Sequence, residues 1–177
     1  MNDLTEKTLR TKTIFEGKII NVHVKDVLLP NGKESKREVV DHPGAVAVIA
    51  KTDDDKYLFV RQFRKPLEKT IIEIPAGKLE KNEDPKETAK RELYEETGYI
   101  ADTLEYVISF YTSPGFANEI IHLYEASHLK TGKPHTEEDE FVEVLKLSLE
   151  EAKAYIKTKD IIDAKTLYAI QYLELKS

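Results

Sequence analysis

The sequence predicts a mixed α/β (α+β) sandwich, in which a mixed β-sheet lies between helices and a small antiparallel β-meander precedes it. Short segments rich in β-branched residues, separated by turn residues, recur through most of the chain and predict the strands. Three segments with helical spacing interrupt them. The chain has 177 residues, of which 40% are hydrophobic, so it is long enough for one domain with a sizeable core.

The first part of the chain predicts the meander. Residues 13–29 are rich in β-branched residues and partly alternate in polarity, LPNGK at 29–33 is a tight turn, and 37–42 form a partner strand. A Pro-Gly pair then interrupts the chain. The predicted division is a meander at 1–43 and a larger domain at 44–177.

The larger domain begins with the continuous apolar run AVAVIA at 45–50, which is typical of a buried strand. A polar loop is expected at 130–140, and Asp163 is the predicted N-cap of the last helix. Further strands are predicted at 57–63, 70–77, 104–111, 119–126 and 141–148, and helices at 85–97, 149–158 and 164–176.

Composition excludes several classes of protein. The net charge is −6 with both signs interspersed, so a basic nucleic-acid surface is not expected. There is no cysteine, which excludes disulfides and thiolate metal sites and leaves oxygen or imidazole ligands. No apolar run approaches ~18 residues, so no membrane span is expected. The first twelve residues lack the apolar segment of a signal peptide, and a cytoplasmic location is the expectation.

The helix predicted at 85–97 has clear ends and an unusual cluster of carboxylates. Asp84 can cap it, and Gly98 is the expected stop. Glu92, Glu95 and Glu96 share one face, where like charges repel by roughly 0.2–0.5 kcal/mol per pair. On spacing alone, a solvated acidic face is the commoner explanation. A bound cation would offset the repulsion, because several oxygens around one point suit Mg²⁺.

Two neighbours of the cluster bear on this interpretation. Arg91 can pair with Glu95 at the i+4 spacing. Gly77 lies in the loop before the helix, which is expected to need permissive backbone angles. Carbonyl oxygens of that loop, such as that of Ala76, could join the carboxylates.

The segment 77–99 resembles the Nudix box at each of its fixed positions. The resemblance implies the Nudix fold and the hydrolysis of a nucleoside diphosphate linked to another moiety, with two or three Mg²⁺ ions and Mn²⁺ as the alternative. The matching residues are Gly77, Glu83, Arg91, Glu92, Leu93, Glu95, Glu96, Gly98 and Tyr99.

The Nudix resemblance also implies roles for individual residues. Glu92 and Glu96 would be the principal metal ligands. Glu95 and the carbonyl of Ala76 would contribute. Arg91 would orient the glutamates by salt bridges, and Glu83 would support the site without binding metal.

The segment TSPGFANE at 112–119 indicates a subfamily. Pro114 follows Tyr99 by fifteen residues, and this placement and wording are similar to the bacterial ADP-ribose pyrophosphatases. The similarity covers the whole chain. It implies hydrolysis of ADP-ribose to AMP and ribose 5-phosphate. Pro114, Gly115 and Phe116 would contact substrate, and Glu119 would contact substrate or the metal shell.

Other substrate contacts follow from arginines and from the meander. Arg61 and Arg64 end a strand and can present a guanidinium fork to phosphate, and the resemblance favours Arg64 for the diphosphate or terminal ribose. In relatives the meander pairs with a second subunit. This implies a homodimer with exchanged N-terminal strands, in which Arg37 and Glu38 reach across to the adenine. The aromatic partner of the adenine stays open among Phe15, Phe110, Tyr111 and Phe116.

The polar loop before residue 141 carries several acidic residues, and the resemblance to the ADP-ribose pyrophosphatases implies that a glutamate of this loop acts over the metals. Glu138 and Glu140 are both candidates, one as the base and the other as a metal ligand. Alternative functions are hydrolysis of other nucleotide sugars, dinucleoside polyphosphates or capped RNA. A non-catalytic sensor of ADP-ribose and an acidic structural domain are further alternatives, but a pure binder has less need of three carboxylates.

Overall fold

The computed structural model describes residues 3–132 and 141–176. Within these residues it contains ten strands and three α-helices. The strands are β1 (Lys7–Glu16), β2 (Asn21–Leu28), β3 (Glu34–Asp41), β4 (Ala45–Lys51), β5 (Tyr57–Arg64), β6 (Lys69–Glu73), β7 (Ala76–Lys78), β8 (Tyr99–Tyr111), β9 (Ile120–Thr131) and β10 (Glu143–Leu147), and the helices are α1 (Pro85–Thr97), α2 (Leu149–Thr158) and α3 (Ala164–Lys176).

The chain forms two compact units. The N-terminal unit comprises Met1–Gly44 and Tyr111–Ile120, and the main unit comprises Ala45–Phe110 and Ile121–Ser177. The segment Tyr111–Ile120 thus groups with residues that lie far earlier in the chain. The division at 43 and 44 rests on local chain breaks, which carry no information on such grouping, and it stays a prediction.

The N-terminal unit is built on an antiparallel sheet in the order β1–β2–β3, which confirms the meander. A turn after β1 separates the first two strands, and the N–H of Gly17 donates to the carbonyl of Ile20 at 3.0 Å. The sequence interpretation missed this turn and the strand before residue 13. The reason is that every residue of β1 is exposed, so no alternation marks it.

The main unit holds a mixed sheet between helices, as predicted. Its strand order is β10–β5–β4–β9–β8, with β6 beside β5 and β7 beside β4. β4 and β9 are parallel, and all residues of 46–50 in β4 are buried. Alternate residues of β4 face different helices. Ala47 and Ile49 pack in the cluster that holds α3, whereas Val46 and Val48 pack with Ala89 and Leu93 of α1.

The predicted helices are confirmed, and so are their ends. Asp84 accepts hydrogen bonds from the backbone N–H groups of Lys86 and Glu87, and Gly98 ends α1 in the left-handed region at φ 73°. Ser148 and Glu151 form a capping box at the start of α2.

Two predicted strands differ from the structure. The strand expected at 70–77 is broken into β6 and β7, since Pro75 lacks an N–H for pairing and its carbonyl accepts from Val48 instead. β8 begins five residues earlier than expected, and β9 extends to Thr131. An ion pair of 2.7 Å between Lys130 and Asp102 joins these added ends.

Candidate active site

Helix α1 is fixed to the sheet by its apolar side and presents the carboxylates on another side. Ala89 and Leu93 are fully buried. Glu96 is buried as well, whereas 15% of the Glu92 side chain and 33% of the Glu95 side chain are exposed. The three carboxylates therefore run from the interior to the surface along one turn of the helix.

Arg91 organises the carboxylates around a single guanidinium group. Its Nη1 donates to Oε1 of Glu92 at 2.8 Å and to Oε2 of Glu95 at 2.9 Å. Its Nε and Nη2 form a fork with Glu83 at 3.1 and 3.0 Å. The predicted pair between Arg91 and Glu95 is present, and the same arginine also holds the loop before the helix.

This arrangement shifts the proton affinity of both partners. The hydrogen bonds from Arg91 lower the pKa of Glu83 from 4.5 to about 2. In turn, the hydrogen bonds with Glu83, the charge of Glu92 and the hydrogen bonds with Glu95 and Glu92 raise the pKa of Arg91. The strong pairing of Glu83 with Arg91 agrees with a supporting position for Glu83.

The backbone of β7 is the meeting point of two carboxylates. The N–H of Ala76 donates to Oε2 of Glu96 at 3.0 Å. A Cβ at Gly77 would lie 1.8 Å from the carboxylate carbon of Glu92, so only glycine lets Glu92 approach this strand. The expectation that Gly77 needs permissive backbone angles is wrong, because its φ lies outside the left-handed region.

The donor set fits a hard divalent cation in its chemistry. Carboxylates of Glu92 and Glu96 converge on the backbone of Ala76 and Gly77, where oxygen ligands are at hand. In residues 3–132 and 141–176, no group of three or more carboxylate or imidazole side chains is spaced to hold a metal ion. Oxygens of Glu92 and Glu95 lie against the guanidinium of Arg91 in this structure.

The two arginines of β5 have different surroundings. Arg61 makes a surface ion pair of 2.9 Å with Glu143 of β10, and about half of each side chain is exposed. Arg64 donates from Nε to Oε2 of the buried Glu73 at 2.7 Å. The sequence singled out both arginines but missed Glu73, which it took as a strand residue in an otherwise apolar segment.

In the N-terminal unit, the TSPGFANE segment folds onto β3. The N–H groups of Phe116 and Ala117 donate to the carbonyl of Ser113 and close a turn over Pro114. Val40 N–H donates to the carbonyl of Phe116 at 2.8 Å. A pocket of about 510 Å³ lies in this unit, and four of the predicted substrate-binding residues line it together: Arg37, Glu38, Gly115 and Phe116, beside Val24 and Lys36.

Some predicted contacts of this unit have partners within it. Arg37 forms a fork with Glu6, which raises the pKa of the arginine. Oε2 of Glu119 accepts a hydrogen bond of 2.6 Å from Thr112, and Oε1 lies 3.6 Å from Nε2 of His42. The sequence offered no spacing that would associate His42 with Glu119.

The candidate aromatic residues are separated by their surroundings. Phe110 packs against Tyr168 with ring centroids 5.5 Å apart, beside the core of the main unit. Phe15, Tyr111 and Phe116 are each more than half exposed, and Phe116 lines the pocket with Arg37 and Glu38. Glu138 and Glu140 lie outside the described residues.

The α+β sandwich and the carboxylate helix against a glycine-containing strand define a Nudix-type hydrolase. Residues 41–169 match the NUDIX domain, so the chain belongs to the Nudix family. Residues 6–40 match the nucleoside diphosphate sugar hydrolase N-terminal domain. Nudix hydrolases of this kind use a divalent metal ion.

Individual relatives are similar over nearly the whole chain. An ADP-ribose pyrophosphatase of Bacillus subtilis is 58% identical over 99% of this chain and 96% of its own. A methanol dehydrogenase activator of Bacillus methanolicus is 59% identical over 97% of this chain and 94% of its own. A crystal structure of an ADP compounds hydrolase matches the fold with a TM-score of 0.86, covering 98% of this chain and 95% of that one at 19% identity.

Proposed function

We propose that this protein hydrolyses the diphosphate linkage of ADP-ribose and releases AMP and ribose 5-phosphate. The observation that carries the proposal is the cluster of Glu92, Glu95 and Glu96, ordered by Arg91 against the backbone of β7. Such a cluster can act on many diphosphates, and the 58% identity to an ADP-ribose pyrophosphatase favours ADP-ribose as the substrate.

Glu92 and Glu96 are the main residues that would hold Mg²⁺, with Glu95 and the carbonyl of Ala76 completing the set. Two or three ions are proposed, and Mn²⁺ is expected to replace Mg²⁺. When bound, the metal neutralises the diphosphate, polarises it and lowers the pKa of bound water. Arg91 would orient the carboxylates by its salt bridges, while Glu138 or Glu140 would accept the proton of the attacking water.

Substrate recognition is proposed for residues of both units. In the N-terminal unit, the pocket lined by Arg37, Glu38 and Phe116 would take the adenine, with Phe116 as the stacking partner. Arg61 and Arg64 would contact the diphosphate or the terminal ribose. Pro114 and Gly115 would shape the loop at the pocket, and Glu119 would act through the position of that loop.

A homodimer with exchanged N-terminal strands is part of the proposal. Val27 is the only hydrophobic side chain buried in the part of the N-terminal unit that the structure describes. Ile14 and Phe15 of β1 are each more than half exposed. A second copy of the chain would cover these residues and would allow Arg37 and Glu38 to serve the neighbouring site.

No membrane partner and no nucleic-acid partner are proposed. No helix among residues 3–132 and 141–176 is long and apolar enough to cross a membrane. The net charge of −6 gives no basis for binding a polyanion without a metal ion. A cytoplasmic location stays a prediction of the sequence.

Product analysis tests the proposed activity. The purified protein is incubated with Mg²⁺ and ADP-ribose, and in parallel with other nucleotide sugars, diadenosine polyphosphates and capped RNA. AMP plus ribose 5-phosphate, formed fastest from ADP-ribose and abolished by EDTA, is the expected result. Faster turnover of another substrate would reassign the specificity. Binding of ADP-ribose without turnover of any substrate would establish a sensor.

Activation of a methanol dehydrogenase is a second candidate function. It is favoured by the identity of 59% to an activator of that enzyme, which is close to the 58% identity to the pyrophosphatase. The two functions are compatible if activation depends on hydrolysis. The test is the rate of a purified methanol dehydrogenase with the wild-type protein and with Glu96→Gln. No change in rate with the wild-type protein would remove this candidate.

A further inference from the structure

A buried ion network joins β6 to the start of α3 in the main unit. Glu73, the last residue of β6, is 3% exposed, and its Oε1 accepts a hydrogen bond of 2.7 Å from Nζ of Lys165. Lys165 is also buried, and its Nζ lies 3.0 Å from Oδ2 of Asp163. The other oxygen of Glu73 accepts from Arg64, so two cations share one buried carboxylate.

The position of this network is not explained by stability alone. Burying charged groups costs several kcal/mol per ion, and apolar residues of similar size are often as good or better for stability. Lys165 stands in the first turn of α3, where the helix dipole disfavours a cation. The network therefore occurs where packing and helix electrostatics both favour other residues.

The network is rigid at its buried end. Thr166 donates from its N–H and its hydroxyl to Asp163, and the hydroxyl oxygen accepts from the N–H of Ile74 at 3.0 Å. The backbone directly after Glu73 is therefore bound to α3. The carboxylate of Glu73 consequently has a fixed place from which to hold the more exposed Arg64.

Arg64 differs from Arg37 and Arg91 in how its guanidinium is used. Arg37 and Arg91 each donate from Nε, Nη1 and Nη2 to side chains or backbone. Within residues 3–132 and 141–176, Arg64 uses only Nε, and 39% of its side chain is exposed. Toward the described residues, the edge formed by its two terminal amino groups makes no hydrogen bond, and such an edge suits an anion that accepts two parallel hydrogen bonds.

We propose that Glu73 is a positioning residue that aims the guanidinium of Arg64 at the diphosphate of the substrate, with Lys165 holding Glu73 in place. This inference rests on the proposed function, in which Arg64 contacts the diphosphate or the terminal ribose. Glu73 itself touches no substrate. It fixes Nε and so leaves the outer edge of Arg64 in one orientation before the substrate arrives.

The test is a double-mutant cycle of Glu73→Gln and Arg64→Gln, read as KM and kcat for ADP-ribose. Glu73→Gln is expected to raise KM roughly tenfold, as loss of an outer partner does at other binding sites, with a smaller change in kcat. In the Arg64→Gln background the same change is expected to alter KM less than about twofold. Equal effects in both backgrounds would overturn the proposal.

Glu125→Gln is the matched control. Glu125 also joins the sheet to α3, through Lys176 at 2.6 Å and Tyr172 at 3.2 Å, but it makes no bond to Arg64. It is expected to lower the melting temperature and to leave KM unchanged. A tenfold rise in KM for Glu125→Gln would show that any loosening of α3 suffices, which contradicts a specific role of Glu73.

Two further measurements keep the proposal decidable. If the wild-type protein turns over no ADP-ribose, the proposed function fails, and the affinity for inorganic pyrophosphate by calorimetry replaces KM in the same cycle. If Glu73→Gln does not fold, Glu73→Gln/Lys165→Met removes one negative and one positive charge together. The proposal is supported if this double variant binds the substrate or pyrophosphate more weakly than its parent only when Arg64 is present. It is contradicted if the affinity is unchanged.

Discussion

The two units of the molecule differ in how much of their apolar surface they bury. In the main unit, β4 is buried from 46 to 50, and clusters on both of its faces hold side chains of α1 and α3. In the N-terminal unit, all ten residues of β1 are exposed. The main unit thus has its own hydrophobic core, whereas the three-stranded sheet is well formed but buries few apolar side chains.

The difference shows that backbone hydrogen bonding can form a sheet in which few apolar side chains are buried. Strands β1, β2 and β3 are paired along their lengths, with two register shifts between β1 and β2, and charged pairs such as Arg10–Asp26 cross between them. Exposed pairs of this kind contribute about 0–1 kcal/mol each. The sheet therefore has little hydrophobic burial, which is the main stabilising term in folding, and the proposed second copy of the chain would add to it.

The largest effect on activity is expected from a substitution of a proposed metal ligand in the main unit. Glu96→Gln is expected to reduce kcat/KM for ADP-ribose by a factor on the order of 10²–10³, as loss of one electrostatic contact to the reacting group does elsewhere. Glu87→Gln, on an exposed position of the same helix, is the control. Near-wild-type activity of Glu96→Gln would refute the proposed metal ligand.

A core substitution in the main unit is expected to come next. Leu93→Ala removes a fully buried side chain of α1 and is expected to lower the free energy of unfolding by about 2–5 kcal/mol. Urea denaturation at two protein concentrations measures it. The loss is expected to be the same at both concentrations, because this core lies within one chain. If the decrease in the free energy of unfolding vanished at high protein concentration, the core of the main unit would depend on a second chain, and the contrast with the N-terminal unit would be wrong.

Ile14→Asp tests the opposite behaviour in the N-terminal unit. Ile14 is half exposed and lines an apolar pocket with Val22 and Val24. A charge there is expected to weaken the proposed dimer by about 2 kcal/mol, as loss of an interface anchor does, and to raise KM. Sedimentation equilibrium measures the dimer, with Thr11→Asp on the same strand as the control. A wild-type protein that is monomeric at all concentrations would remove the dimer from the proposal.

The smallest effect is expected from Glu83 and depends on pH. The pKa of Glu83 is lowered to about 2 in the folded protein, so its pairing with Arg91 stabilises the fold fully above pH 4.5. That contribution is lost as the pH falls from about 4.5 towards 2, because the unfolded chain binds the proton first.

Thermal unfolding between pH 5 and 2.5 compares the wild type with Glu83→Gln. The variant is expected to be less stable by about 1 kcal/mol at pH 5, since partial exposure screens the pair. The difference is expected to shrink as the pH falls. A constant difference across this range would contradict ionisation of Glu83 as its cause.

Much of the fold and of the carboxylate cluster follows from local sequence. Asp84, Pro85 and Gly98 mark the ends of α1, and the spacing of Glu92 and Glu96 puts them on one face. These features act over one or two turns of helix, so the chain alone determines them. The same holds for the apolar run of β4, whose burial requires only that a sheet forms.

Contacts between distant residues were decided by the tertiary structure alone. Glu73 and Lys165 are 92 residues apart, and neither stands in a local pattern that indicates the other. Gly77 looked like a position of special backbone angle, but the structure shows that it gives space to Glu92. Phe116 likewise meets Arg37 and Glu38 in one pocket, although it lies far from both in the chain. Capping and periodicity depend on neighbours along the chain, whereas space and charge pairing depend on which elements pack together.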